Sequence, residues 1–307
     1  MISIILPTFN RSQLLCNTID SVLKQTFEEY ELIIINDHSS DHTKQVIVQY
    51  QLQDKRIKYI ENQKNLGCAE SRVVGIDNSK GKFLVFLDDD DIWKKDKLMK
   101  QYNTLVHTNS DMVISDYQIN KNNRLIYKTM KKFSKNFKEE ILKRPGPFFQ
   151  SIMIKKNIID QLNQPFDNKA IPSEDWNFFI ELSKINLTVS YVPEPLFIWN
   201  IHKNNQSLNL QKEAEALLYI LKKHYHYIQS IHNNSVISDH YKRVARLYEK
   251  NYDNKKITQI KKLYIKAFKI NPLSIKNMFY FIVVMLGYHN TRHIIGWIRK
   301  IRGIENV

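Results

Sequence analysis

Phe83-Leu84-Val85-Phe86-Leu87-Asp88-Asp89-Asp90-Asp91 runs five apolar residues straight into four carboxylates. A short continuous apolar run marks a strand covered on both faces, since neither side of its pleat is left polar. The acidic run then falls just past the carboxyl end of that strand. Four adjacent carboxylates repel one another, and the arrangement is costly unless a cation or solvent relieves it. Carboxylate oxygens suit hard divalent ions such as Mg²⁺ or Mn²⁺, which also bridge the oxygens of a diphosphate. The competing reading is a solvated acidic turn in which Asp91 caps the next helix.

Upstream, Ile2 to Leu6, Leu32 to Ile35 and the weaker Ile57 to Ile60 read as further strands. Helices are predicted between them. The first is capped by Ser12 and carries Leu14, Leu15, Ile19, Val22 and Leu23; the second is capped by Asp41 and carries Val46, Ile47 and Tyr50; the third covers Ala69 to Ile76. Downstream, a helix from about Lys94 leads to a strand over Met112 to Ser115. This alternation implies an α/β fold, a mostly parallel sheet with helices on both faces. In such sheets ligands bind beyond the carboxyl ends of the strands. Thr8, Asn10, Asn36, Asp37, Asn65 and Asp88 to Asp91 are thereby gathered at one edge. Residues 116 to 200 lose the alternation and read as hairpins and loops, with one helix near Ser173 bearing Trp176, Phe179, Ile180 and Leu182.

The first glycine is Gly67. A Walker loop or dinucleotide fingerprint needs glycines directly after the first strand, where backbone amides cradle phosphate, so both are excluded. The two cysteines, Cys16 and Cys68, form no CxxC pair and fit a reducing compartment rather than a disulfide framework. The opening apolar run has no basic flank and is stopped by Pro7, unlike a signal peptide. No stretch reaches the roughly 18 uninterrupted apolar residues of a membrane-spanning helix. The net charge of +15 is concentrated beyond residue 200, where 19 lysines and arginines face 6 acidic residues. Two regions with different partners are expected from that split.

Six segments then carry a family resemblance. Ile4-Ile-Leu-Pro-Thr-Phe-Asn-Arg11 resembles the first motif of the family 2 inverting glycosyltransferases, which have the GT-A fold. Ser21-Val-Leu-Lys-Gln-Thr-Phe27, Glu31-Leu-Ile-Ile-Ile-Asn-Asp-His-Ser-Ser-Asp41, Asn65-Leu-Gly-Cys-Ala-Glu-Ser-Arg72 and Phe86-Leu-Asp-Asp-Asp-Asp-Ile-Trp93 agree in order and spacing. Ser173-Glu-Asp-Trp-Asn-Phe-Phe179 lies where that family places its acceptor-side Glu-Asp pair. The resemblance covers about residues 1 to 200. It departs at Asn36, where many relatives carry a second aspartate, and at Ser71, where alanine is usual.

The resemblance implies a GT-A domain over residues 1–205, with a nucleotide-binding half (1–115) and an acceptor-side half (116–205), followed by a basic helical region over 206–307. It places Pro7, Thr8, Asn10 and Asp37 at the nucleotide, with Asp37 on a uracil ring. Arg72 falls near the diphosphate, Asp88 and Asp89 face the ribose and the water shell, and Asp90 holds Mn²⁺ or Mg²⁺. Asp175 becomes the catalytic base. The implied reaction moves a hexosyl or N-acetylhexosaminyl group from a UDP-sugar to a glycan or lipid-linked glycan, with inversion, in cell-surface polysaccharide biosynthesis such as capsule or lipopolysaccharide. Structural readings compete at each position. Asp37 with Ser39, Ser40 and Asp41 is also a polar turn, Arg72 also a helix-surface residue, and Glu174 and Asp175 also favour a helix N-terminus. His38 and His42 lack metal-ligand spacing, and Trp93 and Trp176 read as core or pocket wall rather than as sugar platforms.

The chain is expected in the cytoplasm or peripherally on the inner face of the cytoplasmic membrane. Its basic C-terminal region fits attraction to anionic headgroups through Phe279 to Leu286, followed by His289, Arg292, His293, Trp297, Arg299, Lys300 and Arg302. The alternative is a helical bundle with a solvated basic face, used for self-association into a homo-oligomer. Two rival functions are a glycosyltransferase-fold scaffold without activity and a basic nucleic-acid-binding protein. No RNA- or DNA-binding signature supports the latter, so nucleic acid is not an expected partner.

Overall fold

The computed structural model describes residues 1–146, 148–202, 205, 208–250 and 256–286. The chain forms two compact units, Met1–Gln206 and Ser207–Val307.

In the first unit the apolar runs become strands and the periodic segments become helices. β1 (Ile2–Thr8) and β2 (Tyr30–Asn36) are buried at every residue, as continuous apolar runs require. Between and after them lie α1 (Ser12–Leu23), α2 (Thr43–Gln53), β3 (Ile57–Glu61), α3 (Cys68–Asp77) and β4 (Phe83–Phe86). Then follow β5 (Ile92–Trp93), α4 (Lys97–His107), β6 (Met112–Lys121), β7 (Arg124–Lys128), α5 (Lys131–Lys135) and α6 (Phe137–Lys143). β8 (Ile152–Lys155), α7 (Lys156–Ile159), α8 (Glu174–Leu182) and β9 (Val189–Asn200) complete the unit.

The sheet order is β3-β2-β1-β4-β8-β6-β9-β5, with β7 paired to β6. β1, β2, β3, β4, β6 and β9 share one direction, while β5, β7 and β8 oppose it. The sheet is therefore mostly parallel, but an antiparallel strand is wedged between β4 and β6. Its source, in the stretch read from sequence as hairpins and loops, is the short apolar segment Ile152–Lys155.

Two expectations about helix starts change. Ser12 was expected to cap α1, yet its own N–H donates to Asp41 at 3.2 Å. The same Asp41 carboxylate accepts the Thr43 N–H at 2.9 Å, so one side chain serves the starts of both α1 and α2. The helix expected from about Lys94 begins at Lys97, because Ile92–Trp93 pairs with β9 and the Lys94 N–H is held by the Leu196 carbonyl at 2.9 Å. Asp91 accordingly caps no helix.

α3 lies close on the sheet at Gly75, where a Cβ would sit 2.5 Å from Ile5 and 2.8 Å from Ile35. Glycine at that point lets the helix carrying Arg72 approach the strand ends.

The second unit is helical: α9 (Leu210–Lys223), α10 (Tyr225–Ile231), α11 (Asn234–Lys250), α12 (Ile257–Ile270) and α13 (Ile275–Met285). Asn277 on α13 donates to Ser238 on α11 at 2.7 Å and to the Asn271 carbonyl at 2.7 Å, a buried polar tie. Tyr264 stacks on Tyr280 and Phe268 on Phe281, joining α12 to α13. Residues 289 to 302, expected to contribute His289, Arg292, His293, Trp297, Arg299, Lys300 and Arg302, lie outside the described residues. Among the described residues no helix is long and apolar enough to cross a membrane.

Candidate active site

The acidic run after β4 is the hub of a buried polar network. Thr8, the last residue of β1, donates to Asp89 at 2.7 Å. Arg11, just before α1, lies against Asp90 and 3.3 Å from Asp89. Asp90 also meets His202 Nε2 at 2.9 Å, while Asn200 at the end of β9 donates through its side chain to the Asp90 carbonyl at 2.8 Å. The Asn200 N–H binds the Asp91 carboxylate at 3.0 Å. Gln150 bridges Asp88 and Asp91 through one amide nitrogen.

Arg72 joins this hub to the acceptor-side motif. Its guanidinium donates to Asp88 at 2.7 Å and to Glu174 at 2.9 Å, and lies 4.6 Å over the Phe149 ring. Phe86, Phe149, Phe166 and Phe178 pack beneath it as an aromatic bed. Arg72 is 3% exposed, so the helix-surface reading does not hold. Its charge is retained against burial by Asp88 and Glu174. Glu174 and Asp175 open α8, whose first turn is anchored by Trp176: its indole N–H donates to the Ile141 carbonyl at 2.7 Å. The Trp176 backbone N–H donates to Asp175 at 2.7 Å. Trp93 and Trp176 are both core residues.

The electrostatics follow from crowding in a low-dielectric pocket. Burial, then the neighbouring carboxylates, raises Asp88 and Asp91 and brings Asp89 to about 7 despite Arg11 and Thr8. Burial and the adjacent Glu174 push Asp175 to about 8. A carboxyl tuned into that range is a fitting proton acceptor near neutral pH.

The remaining predicted residues stand at the same edge in other connections. Asp37 accepts from Asn62 and from the Leu66 N–H, each at 2.8 Å, and its other oxygen accepts from the Gly67 N–H at 2.8 Å. Gly67 has φ +87°, which lets its N–H turn toward the carboxylate. Pro7 is buried in β1. Asn10, at φ +53°, turns toward the loop after β2 and accepts from the Ser40 N–H at 2.8 Å. Asn36 likewise accepts from the Ser39 N–H at 3.0 Å. Sequence reasoning assigned no role to Arg11, Gln150, Asn200 or His202. Arg11 closes the first motif and was within reach; the others come from distant segments without a local signature.

Among the described residues no group of three or more His, Cys, Asp or Glu side chains is arranged to hold a metal. The pair Asp90 and His202 nevertheless supplies a carboxylate and an imidazole on one point, beside Asp89 and Asp91, whose carboxyls are raised first by burial and then by their acidic neighbours. That donor pair fits a divalent cation whose other positions are left to phosphate oxygens and water.

A GT-A sheet with a carboxylate hub beyond its strand ends is the arrangement of a glycosyltransferase. The sequence matches glycosyl transferase family 2 over residues 3–164, and the chain belongs to that family. A relative from Escherichia coli, the UDP-Glc:alpha-D-GlcNAc-diphosphoundecaprenol beta-1,3-glucosyltransferase WfgD, is 30% identical over 61% of this chain and 71% of its own length. The poly(ribitol-phosphate) beta-N-acetylglucosaminyltransferase TarP of Staphylococcus aureus is 32% identical over 69% of this chain and 67% of its own. Among solved structures, S. aureus TarS 1-349 in complex with UDP-GlcNAc shares the fold with a TM-score of 0.68 at 15% identity, covering 88% of this chain and 81% of that one. The mannosyltransferase PcManGT from Pyrobaculum calidifontis, in complex with GDP-Man and Mn²⁺, has a TM-score of 0.58 at 12% identity, over 92% and 84% of the two chains.

Proposed function

We propose that this glycosyltransferase moves a hexosyl or N-acetylhexosaminyl group from a UDP-sugar to a hydroxyl of a glycan or lipid-linked glycan, with inversion at the anomeric carbon. The observation that carries the reading is the Arg72 fork, which ties the donor-side Asp88 to the acceptor-side Glu174 beside Asp175. Relatives named for UDP-Glc and N-acetylglucosamine transfer, and a fold neighbour bound to UDP-GlcNAc, support the donor class. A lipid-linked acceptor is supported by the diphosphoundecaprenol in the name of the Escherichia coli relative.

Pro7, Thr8, Asn10 and Asp37 line the nucleotide side in this reading, with Asp88 and Asp89 toward the ribose. Asp90 and His202 would hold Mn²⁺ or Mg²⁺, which when bound offsets negative charge on the departing diphosphate. Arg72 adds a fixed positive charge from the protein. Asp175 accepts the proton of the acceptor hydroxyl as that oxygen forms its bond to the anomeric carbon. With one base and no enzyme nucleophile, a single displacement inverts the configuration, the logic that separates inverting from retaining glycosidases.

The test is a screen of nucleotide sugars for transfer or slow hydrolysis with and without Mn²⁺, followed by Asp175→Asn. The expected result is activity with a UDP-sugar, dependent on metal, and at least about a hundredfold lower turnover in the variant at unchanged UDP affinity. Near-normal turnover by Asp175→Asn would remove that residue from the mechanism. Silence across all nucleotide sugars would favour the scaffold reading.

A further inference from the structure

We propose that the outward face of α13 is a docking surface for an anionic phospholipid bilayer, on which the helix lies without crossing. Leu273 is 95% exposed, and Ile275, Met278, Ile282, Met285 and Leu286 are exposed beyond it. Spacings of three and four residues put Ile275, Met278, Ile282 and Met285 on one stripe of the helix, with Leu286 at its C-cap. The opposite face, Asn277, Tyr280, Val283 and Val284, is buried within the second unit. Between Ile275 and Met285 the only charged residue is Lys276. A helix on a protein surface normally turns a polar face to water. A contiguous apolar stripe in its place marks an interaction site.

Charge selects the partner. The sequence beyond residue 200 holds 19 lysines and arginines against 6 acidic residues. Lys262, Lys266 and Lys269 are exposed on α12, which packs on α13 through the Tyr264–Tyr280 and Phe268–Phe281 stacks. A second copy would bring the same net positive charge and be repelled. A nucleic acid would use the lysines and leave the apolar stripe wet. An anionic bilayer takes both, the stripe at its acyl boundary and the lysines among its headgroups. At 11 residues α13 is too short to span, so it lies in the interface.

The test is flotation of the full-length chain with vesicles of phosphatidylcholine alone or of equal parts phosphatidylcholine and phosphatidylglycerol. The chain should bind the anionic vesicles at least about tenfold more tightly, and added salt should weaken binding. Ile282→Glu with Met285→Glu should abolish flotation at an unchanged melting temperature, since both side chains face solvent. Lys262→Ala, Lys266→Ala and Lys269→Ala together should weaken anionic binding about tenfold or more without touching the stripe. Flotation unaffected by the glutamates, or equal on neutral and anionic vesicles, overturns the proposal. So does a chain that ignores vesicles and self-associates through this face in sedimentation velocity, with the glutamates restoring a monomer. None of these readouts depends on sugar transfer, so they stand apart from the catalytic reading.

Discussion

Replacing Arg72 by methionine tests the network most directly. The guanidinium is nearly fully buried and forks to Asp88 at 2.7 Å and Glu174 at 2.9 Å. Methionine keeps much of the volume over Phe149 and leaves the buried Glu174 and the part-exposed Asp88 without their cation. Breaking a buried ion pair from one side costs about 3–5 kcal/mol. For a unit of this size that is a drop of about 6–20 °C in melting temperature, at about 2–4 °C per kcal/mol. The loss should depend on pH. Asp88 and Asp175 have raised folded-state pKa values, so their protonated forms are stable below the unfolded value and stability is lost as pH rises through the folded one. Without Arg72 these groups shift further up. The variant should therefore be near wild type at about pH 5 and much weaker at about pH 8. The assay is a pair of thermal melts at each pH, without metal or nucleotide. A deficit at the higher pH below about 1 kcal/mol, the worth of an ordinary hydrogen bond, refutes the reasoning, as does an equal deficit at both.

Three further outcomes are expected. Turnover should climb with pH through about 8, because Asp175 must lose its proton before it can accept one; a flat profile removes burial of Asp175 as the controlling feature. Gly75→Ala should cost about 1–3 kcal/mol in urea denaturation, because its Cβ would meet Ile5 at 2.5 Å; an unchanged midpoint means α3 shifts freely off the sheet. His202→Ala should weaken Mn²⁺-dependent UDP binding at least about tenfold in calorimetry, the scale of a lost metal contact, and unaltered metal dependence takes His202 out of the site.

The parallel half of the fold was legible because its strands are continuous apolar runs, and such runs admit few alternatives. β1 and β4 begin at Ile2 and Phe83 as their runs do, and β2 contains the run from Leu32 but starts two residues earlier, at Tyr30. The carboxylate hub was legible for a related reason: four aspartates follow directly on a buried strand, at the edge where such sheets bind ligands. What escaped was set by tertiary partners. Ile92–Trp93 is a strand only because β9 lies alongside, and Ile152–Lys155 wedges into the sheet as an apolar run too short to be told from a loop on its own. Arg72 read as a possible surface residue because the aromatic bed beneath it is assembled from β4, the turn at Phe149 and α8. Gln150, Asn200 and His202 are single polar residues whose meaning comes from the carboxylates they reach.

Asp41 has a bearing on how the proposed nucleotide side would answer a ligand. Its two oxygens hold the first N–H groups of α1 and α2, while Asn10 and Ser40 lace the same two loops together. That rim moves as one piece or hardly at all, so a base arriving there meets a mould already set and spends little ordering entropy on it. Adaptation to different sugars then falls to the opposite wall, where Gln150 and α8 come from segments free of this stitch. Variants that broaden donor choice should accumulate there, while changes at Asp41 should slow every donor alike.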